Sequence, residues 1–444
     1  MINLTQKNDL NKIFIFISII FFVLSRLIII YMYEIHLSDV KFYHIFAELG
    51  IIDGYTAYKD FFFPYPPLAL PLVYLPIKFS TSFEGYRLAF QFEMLIFDVL
   101  CLVFTIIFAK QRLKLNQIQI GVIVLLYSIL GMFIGQLLYD RLDIVIAMII
   151  MAMIFFYTNR KVLKITFYLL ALIGSLIKLV PFFLVPVSII IDFWNNKNKN
   201  EIKTGYSPWS IIKRRLSNLF IPLIIFFIPF FSILIIYDLR IDGSLFRHLL
   251  QHGERGIQIE SVWATPLFLK YLFSSSKNLN IVTIYGAQHI HESSVSSLYI
   301  FVSKYLGFFC LLLFYLFYFY FYRRLTQKNP RYKIEPDFYF LTLFTILIFI
   351  LASQRVLSPQ FFIWVIPGFC LFIVLSSKRI FYSFLTLIIY TLTFIGFDNY
   401  WEFFYLKTPY IIVVLFRNVF LIIFCFVVFC SLIRRMYEQL SSCD

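Results

Sequence analysis

Apolar runs of about 18 residues or more recur from one end of this chain to the other, and each is long enough to cross the hydrocarbon core of a bilayer as a helix. The first, Ile13 to Tyr33, reads "IFIFISIIFFVLSRLIIIYMY". It is too long for a signal-peptide core and lacks a small-residue cleavage site, so it is expected to remain as the first anchor. Spans drawn by hydropathy fall at 12–33, 87–109, 118–136, 143–158, 165–178, 180–193, 219–237, 298–322, 338–352, 360–375, 380–397 and 409–432. The weakest pair covers 165–193, where "GSLIKLVPFFLVP" (174–186) sets Lys178 and two prolines between two half-length runs. A broken or re-entrant hairpin fits there, with protein or water satisfying the freed backbone groups.

Two connections are long, about 34–86 and about 238–297. The first ends in "FPYPPLALPLVYLP" (63–76), whose prolines exclude a regular transmembrane helix and suit short helices lying in the interface. Nothing reads as a soluble domain, a linker or a fixed-period repeat. The expected fold class is an all-α polytopic integral membrane protein, one domain over residues 1–444, with about 12 transmembrane or half-membrane helices.

Composition agrees: 61% of residues are apolar, 21% aromatic and only 14% charged. A soluble surface needs more charge than that. The net charge of +15 raises nucleic acid as a partner, but its distribution answers otherwise. One alternate set of flanks, from "TQKNDLNK" through "KQRLKLNQ", "NRKVLK", "NNKNKNEIKTGYSPWSIIKRRLSN", "RRLTQKNPRYKIEPD" and "SSKR" to "RRMYEQL", holds 23 of the 39 basic residues. By the positive-inside rule these flanks are cytoplasmic. An even number of crossings then leaves both termini cytoplasmic. All six histidines and most acids fall on the other, external side, which is therefore expected to carry the chemistry. Five of the six cysteines lie inside apolar runs, with no CxxC or zinc spacing.

The densest ionisable stretch is "HLSDVKFYHIFAELGIIDGYTAYKDFFFPYPPLALP" (36–71), directly after the first span. Such groups at membrane depth are expensive unless they pair or perform a task. Asp39 is held in place by the helix end before it and could take a proton from an incoming hydroxyl. Asp53 reads as solvated. Asp60, before "FFFPYPP", is open between fixing the loop and binding substrate. No GxGxxG, Walker or DxD-type nucleotide site is present. An external site must then draw its activated group from something the membrane presents, and a lipid-linked phosphate is the natural candidate.

"SDVKFYH…YKDFFFPYPPLALP" resembles the first external loop of the GT-C superfamily of polyprenyl-phosphate-sugar-dependent glycosyltransferases, and is most similar to the polyprenol-phosphate-mannose mannosyltransferase branch. "GQLLYDRLD" (135–143), with Gln136, and "GSLIKLVPFFLVP" look like that branch's glycine–glutamine turn and lysine–proline break. "HGERGIQIES" (252–261) and "SQRVLSPQFFIWVIP" (353–367) resemble its later external loops. "YDRLD" departs from the pattern, since related chains often carry Asn there, which leaves roles for Asp140 and Asp143 open.

The resemblance implies transfer of a hexose, mannose favoured, from a polyprenyl-phosphate donor to a glycolipid or glycan acceptor, with inversion. Asp39, beside Tyr43, would be the general base. Phosphate leaves without a general acid, so cations must meet its charge, and Lys178, Arg255 and Arg355 are the candidates. Two of them also have a plainer reading: snorkelling for Lys178, and solvation or pairing with Glu254 or Glu260 for Arg255. His252, Gln258 and Glu260 could bind sugar hydroxyls, and Glu260 competes with Asp39 as base. No cofactor is singled out and a divalent cation is left open. His289 and His291 spell HxH, too little alone for a metal. Arg26 and Glu93 come out at similar depth and are expected to pair. Rival functions are a transporter or flippase, an oligosaccharide polymerase, and a non-enzymatic anchor.

Overall fold

The computed structural model describes residues 4–32, 39–158, 160–194, 213, 215–241, 243, 245–246, 255–274, 279–284, 286–329 and 332–441. The protein is an all-α polytopic membrane protein with one small sheet. Eight helices among the described residues are long and apolar enough to cross a membrane, and five shorter apolar helices accompany them.

Helix α1 (Leu4–Met32) is followed by two short helices, α2 (Val40–Ala47) and α3 (Ala69–Tyr74), in the segment where short helices were expected. Helix α4 (Phe83–Ile107) starts at Ser82, whose hydroxyl accepts from the Gly85 amide at 3.3 Å. α5 (Gln117–Ile134) opens on a reciprocal cap between Asn116 and Gln119. Gly135, at φ 60°, ends α5 in a conformation that side chains resist, and turns the chain into a 3-10 segment, Gly135–Leu138. Helix α6 (Asp143–Phe156) is apolar almost all round and nearly wholly buried, as a central core helix must be.

The break foreseen over 165–193 is resolved as two helices, α7 (Lys161–Ile177) and α8 (Val185–Trp194). Between them Lys178 is fully extended and Pro181 sits in a 3-10 turn, Val180–Leu184. Beyond lie α9 (Ile228–Arg240), α10 (Ala264–Phe273), α11 (Ser297–Lys328), α12 (Pro336–Ser353), α13 (Ile366–Leu375), α14 (Arg379–Asp398), α15 (Tyr400–Phe404) and α16 (Thr408–Ser441).

The second long connection was not expected to hold strands. It contains an antiparallel sheet of β1 (Ile257–Gln258), β2 (Ile281–Ile284) and β3 (Ala287–Ile290), in the order β1-β3-β2. Gln258 pairs with His289, and Val282 pairs with His289 from the other side. A small apolar core of Ile257, Ile259, Phe268, Ile290 and Ile411 seats the sheet and α10 against α16.

The expected Arg26–Glu93 pair is not formed. Arg26 Nε donates to Asp98 at 2.8 Å, and the Asp98 carboxylate also accepts from the Tyr127 and Tyr139 hydroxyls, each at 2.7 Å. A side chain at Gly131 would sit 2.6 Å from the guanidinium, so the glycine is what lets Arg26 lie against α5. Equal depth from the helix ends misled because the first turns of α4 stand beside α2, beyond the end of α1. Tyr43 and His44 of α2 pack on Phe90, Phe83 and Tyr86. The true partner lies five residues further along α4, ~7.5 Å deeper.

Candidate active site

Asp39 is the residue before α2, and its carbonyl accepts the first helical bond, from the Tyr43 amide at 3.0 Å. Its carboxylate makes no capping hydrogen bond. It is therefore available for another partner, and that partner is the guanidinium of Arg141. The Asp39 side chain is 31% exposed and that of Arg141 only 11%, so the pair sits at the edge of the protein interior, open to a visitor on the Asp39 side.

Arg141 occupies the centre of "YDRLD", and the Gly135 turn is what brings it there. The Tyr139 and Asp140 amides both donate to the Gln136 carbonyl at 3.0 Å, which winds the segment tightly before α6 begins. Neighbouring charges then fan out to different elements. Asp140 accepts from Gln91 of α4 at 3.1 Å, while Asp143 accepts from Lys178 at 2.6 Å and from the Trp364 indole at 2.6 Å. Asp140 thus ties the turn to α4, and Asp143 holds a cation.

Lys178 lies with its ammonium 4.7 Å from the Phe361 ring centre and 5.0 Å from that of Trp364. Burial pulls its pKa below the ordinary lysine value; Asp143 opposes that, and Arg141 and Arg255 add to it by repulsion. The three cations are therefore within electrostatic reach of one site. Burial likewise brings Arg141 down to about 10, against the opposing charges of Asp143, Tyr400 and Glu260.

The aromatic-proline stretch forms one wall. Tyr65 and Tyr43 share a hydroxyl–hydroxyl bond of 2.8 Å, and the Tyr58 hydroxyl donates to the Tyr65 carbonyl. The Leu68 amide donates to the Leu176 carbonyl at 2.9 Å, tying this loop to the end of α7 beside Lys178. Burial raises the Tyr65 phenol to about 12, with Asp143 and Arg255 both acting on it. At neutral pH these phenols are hydrogen-bond donors, not charges.

Glu260 closes the opposite side. Gln258 donates to its carboxylate at 2.7 Å, and Arg417 donates to its backbone carbonyl while Asn418 donates to that of Ser261 at 3.0 Å. Burial pushes the Glu260 carboxyl up to about 7, opposed by Arg417, Gln258 and Arg141.

Asp39, Tyr43, Lys178, Arg255, Gln258 and Glu260 thus gather at one end of the bundle. Gln136 is buried beneath the turn, its side-chain oxygen without a hydrogen-bond partner among the described residues. Arg355 contributes its carbonyl, which accepts from the Gln258 amide at 3.0 Å, and Glu292 is an acid acting on its guanidinium among the described residues. Asp60 is exposed and accepts from the Thr56 amide at 2.7 Å, closing its own turn. His252 and Glu254 lie outside the described residues. Buried His289 shares a 3.1 Å hydrogen bond with the Gly256 carbonyl, and His291 caps a turn at Ser293. Among the described residues no group of three or more His, Cys, Asp or Glu is placed to hold a metal ion. Sequence reasoning passed over Arg141, Tyr65, Trp364 and Arg417; for Arg141 the signal was a basic residue inside an otherwise acidic turn.

An apolar groove of about 530 Å³ runs between α11, α12 and α16, lined by Leu311, Phe314, Phe349, Ile422 and Phe426 among others. None of the polar cluster lines it; its lining includes Ser353, whose carbonyl accepts from the Trp263 indole at 2.7 Å.

No protein-family model matches this chain, and no curated protein matches it. Among solved structures it is similar to ArnT from Cupriavidus metallidurans bound to undecaprenyl phosphate, at 12% identity and a TM-score of 0.43, over 97% of this chain and 77% of that one. The apo state of the same protein is matched at 11% identity and a TM-score of 0.38, over 98% and 78%.

Proposed function

We propose that the protein is a membrane glycosyltransferase that moves a sugar, a hexose with mannose favoured, from a polyprenyl-phosphate donor to a hydroxyl of a lipid- or glycan-linked acceptor on the external face. The observation that carries this reading is the Asp39 carboxylate, spared from capping α2 and set against a cluster of cations at one end of the bundle. A base paired with Arg141, itself within reach of Lys178 and Arg255, suits a reaction that takes a proton at one atom and releases a phosphate at another.

Asp39 accepts the acceptor hydroxyl's proton as that oxygen attacks the anomeric carbon. The bond from that carbon to the phosphate oxygen breaks, and its electron pair leaves with the phosphate. The configuration inverts. Arg141, Lys178 and Arg255 receive the charge, and the two guanidinium groups can fork onto phosphate oxygens. Arg141 has to exchange Asp39 for phosphate to do so, which leaves Asp39 ready to act only when the donor is in place. The Tyr43–Tyr65 wall and the Gln258–Glu260 pair supply donors and acceptors for sugar hydroxyls, and the apolar groove that includes Ser353 suits a polyprenyl chain.

The test is to incubate purified protein with a panel of polyprenyl-phosphate sugars, with and without chelator, and follow transfer. One donor should be consumed by the wild type and left intact by Asp39→Asn. Lipid-linked sugar crossing proteoliposomes without chemical change, equally in both proteins, would favour a flippase instead.

A further inference from the structure

At the end of α7 remote from Lys178, Lys164 bonds to buried Asp192 at 2.5 Å, and the Tyr157 and Tyr168 hydroxyls bind the same carboxylate at 3.1 and 2.9 Å. Two residues on, α8 ends at Trp194, which is 5% exposed. The Arg215 guanidinium stands 4.0 Å from the Trp194 ring centre, and that of Arg323, near the end of α11, stands 6.0 Å from it. Phe319 of α11 packs edge-on against the same indole at 5.3 Å. Asn218 donates to the Asp192 carbonyl at 3.0 Å and fixes the Arg215 segment there.

Among the described residues this arrangement has no counterion. Among the described residues neither Arg215 nor Arg323 forms an ion pair, and the nearby acid, Asp192, is already bound by one cation and two phenols. Arg215 Nε and Trp194 Nε1 are both buried without a hydrogen-bond partner. Two guanidinium groups sharing one aromatic ring repel each other, and an anion held between them offsets that repulsion. Apolar side chains are exposed on either side: Leu216 and Phe220 just after Arg215, and Leu316, Phe317 and Tyr320 one to two turns before Arg323.

We propose that Arg215, Arg323 and Trp194 form a binding site for the phosphate of an anionic membrane phospholipid, at the end of the bundle opposite Asp39. A phosphodiester bridges the two guanidinium groups by charge-assisted hydrogen bonds, and the acyl chains lie along the exposed apolar side chains. Those side chains distinguish a lipid from free phosphate. The site is independent of the sugar-transfer reading.

Native mass spectrometry of the full-length protein, titrated with phosphatidylglycerol or phosphatidylcholine, tests this. Phosphatidylglycerol should bind more tightly, and Arg215→Gln with Arg323→Gln should weaken it roughly 10- to 30-fold while leaving phosphatidylcholine unchanged. Inorganic phosphate at millimolar concentration should compete poorly. Should the double variant fold badly, brominated phosphatidylglycerol in nanodiscs should quench the wild type more than Trp194→Phe, and high salt should reduce the difference. Equal retention of both lipids, equal binding by the variant, no Trp194-dependent quenching, or displacement by phosphate alone would overturn the proposal.

Discussion

Arg141 and Asp39 face each other across the gap between the turn before α6 and the start of α2, the arginine largely buried and the aspartate partly exposed. The pair joins the first long connection to the core of the bundle. It also neutralises the carboxylate proposed as base, so the two residues should give different kinetic signatures. Asp39→Asn should lower kcat roughly 10²–10⁴-fold with the protein still folded. Arg141→Ala should raise KM for the donor as well as lowering kcat, and Arg141→Lys should recover only part. Near-normal turnover by Asp39→Asn would move the base to Glu260.

Lys178 is held by Asp143 and two aromatic faces. Removing only the acid, as in Asp143→Asn, leaves a buried ammonium without its counter-charge and should cost on the order of 3 kcal/mol. Thermal unfolding in detergent would measure this. Asp143→Asn combined with Lys178→Met should be less destabilised than Asp143→Asn alone.

The Glu260 carboxyl, raised from 4.5 to about 7 by burial, makes stability depend on pH. Between those values the folded protein holds a proton that the unfolded chain has lost, so stability should fall as pH rises from 4.5 to 7 and level off above. Glu260→Gln should flatten that slope. An unfolding temperature series from pH 4 to 8 for both proteins would show it, and equal slopes would refute it.

Arg26 and Asp98 form a buried pair reinforced by two tyrosines. Asp98→Ala should be strongly destabilising, because it strands a guanidinium among hydrocarbon, while Arg26→Leu with Asp98→Leu should recover much of the loss. Tyr139 also precedes the turn that carries Arg141, so Asp98→Asn should lower transfer activity more than Glu93→Gln does. Parallel melting and transfer assays separate the two effects.

Much of this molecule could be read in advance, and the failures share a cause. The break around Lys178 was legible because a charged residue and prolines interrupt an apolar run within thirteen letters. The hairpin of β2 and β3 was partly legible in "IVTIYGAQHI", where a glycine divides two short strands, but a helical expectation for the whole chain hid it. Arg141 lies within a legible motif, but its partner is about a hundred positions earlier and no local pattern joins them.

The sequence by itself determined the class and the chemistry on offer: hydrocarbon-length apolar runs dictate spanning helices, and the density of ionisable residues in the connections marks where reactive groups gather. Only the tertiary structure decided which charges meet. Position along a helix measures depth, whereas pairing also depends on rotation about the axis and on how far each helix extends past its neighbours. Packing settles both, so Arg26 found Asp98 rather than Glu93, and Asp39 found Arg141.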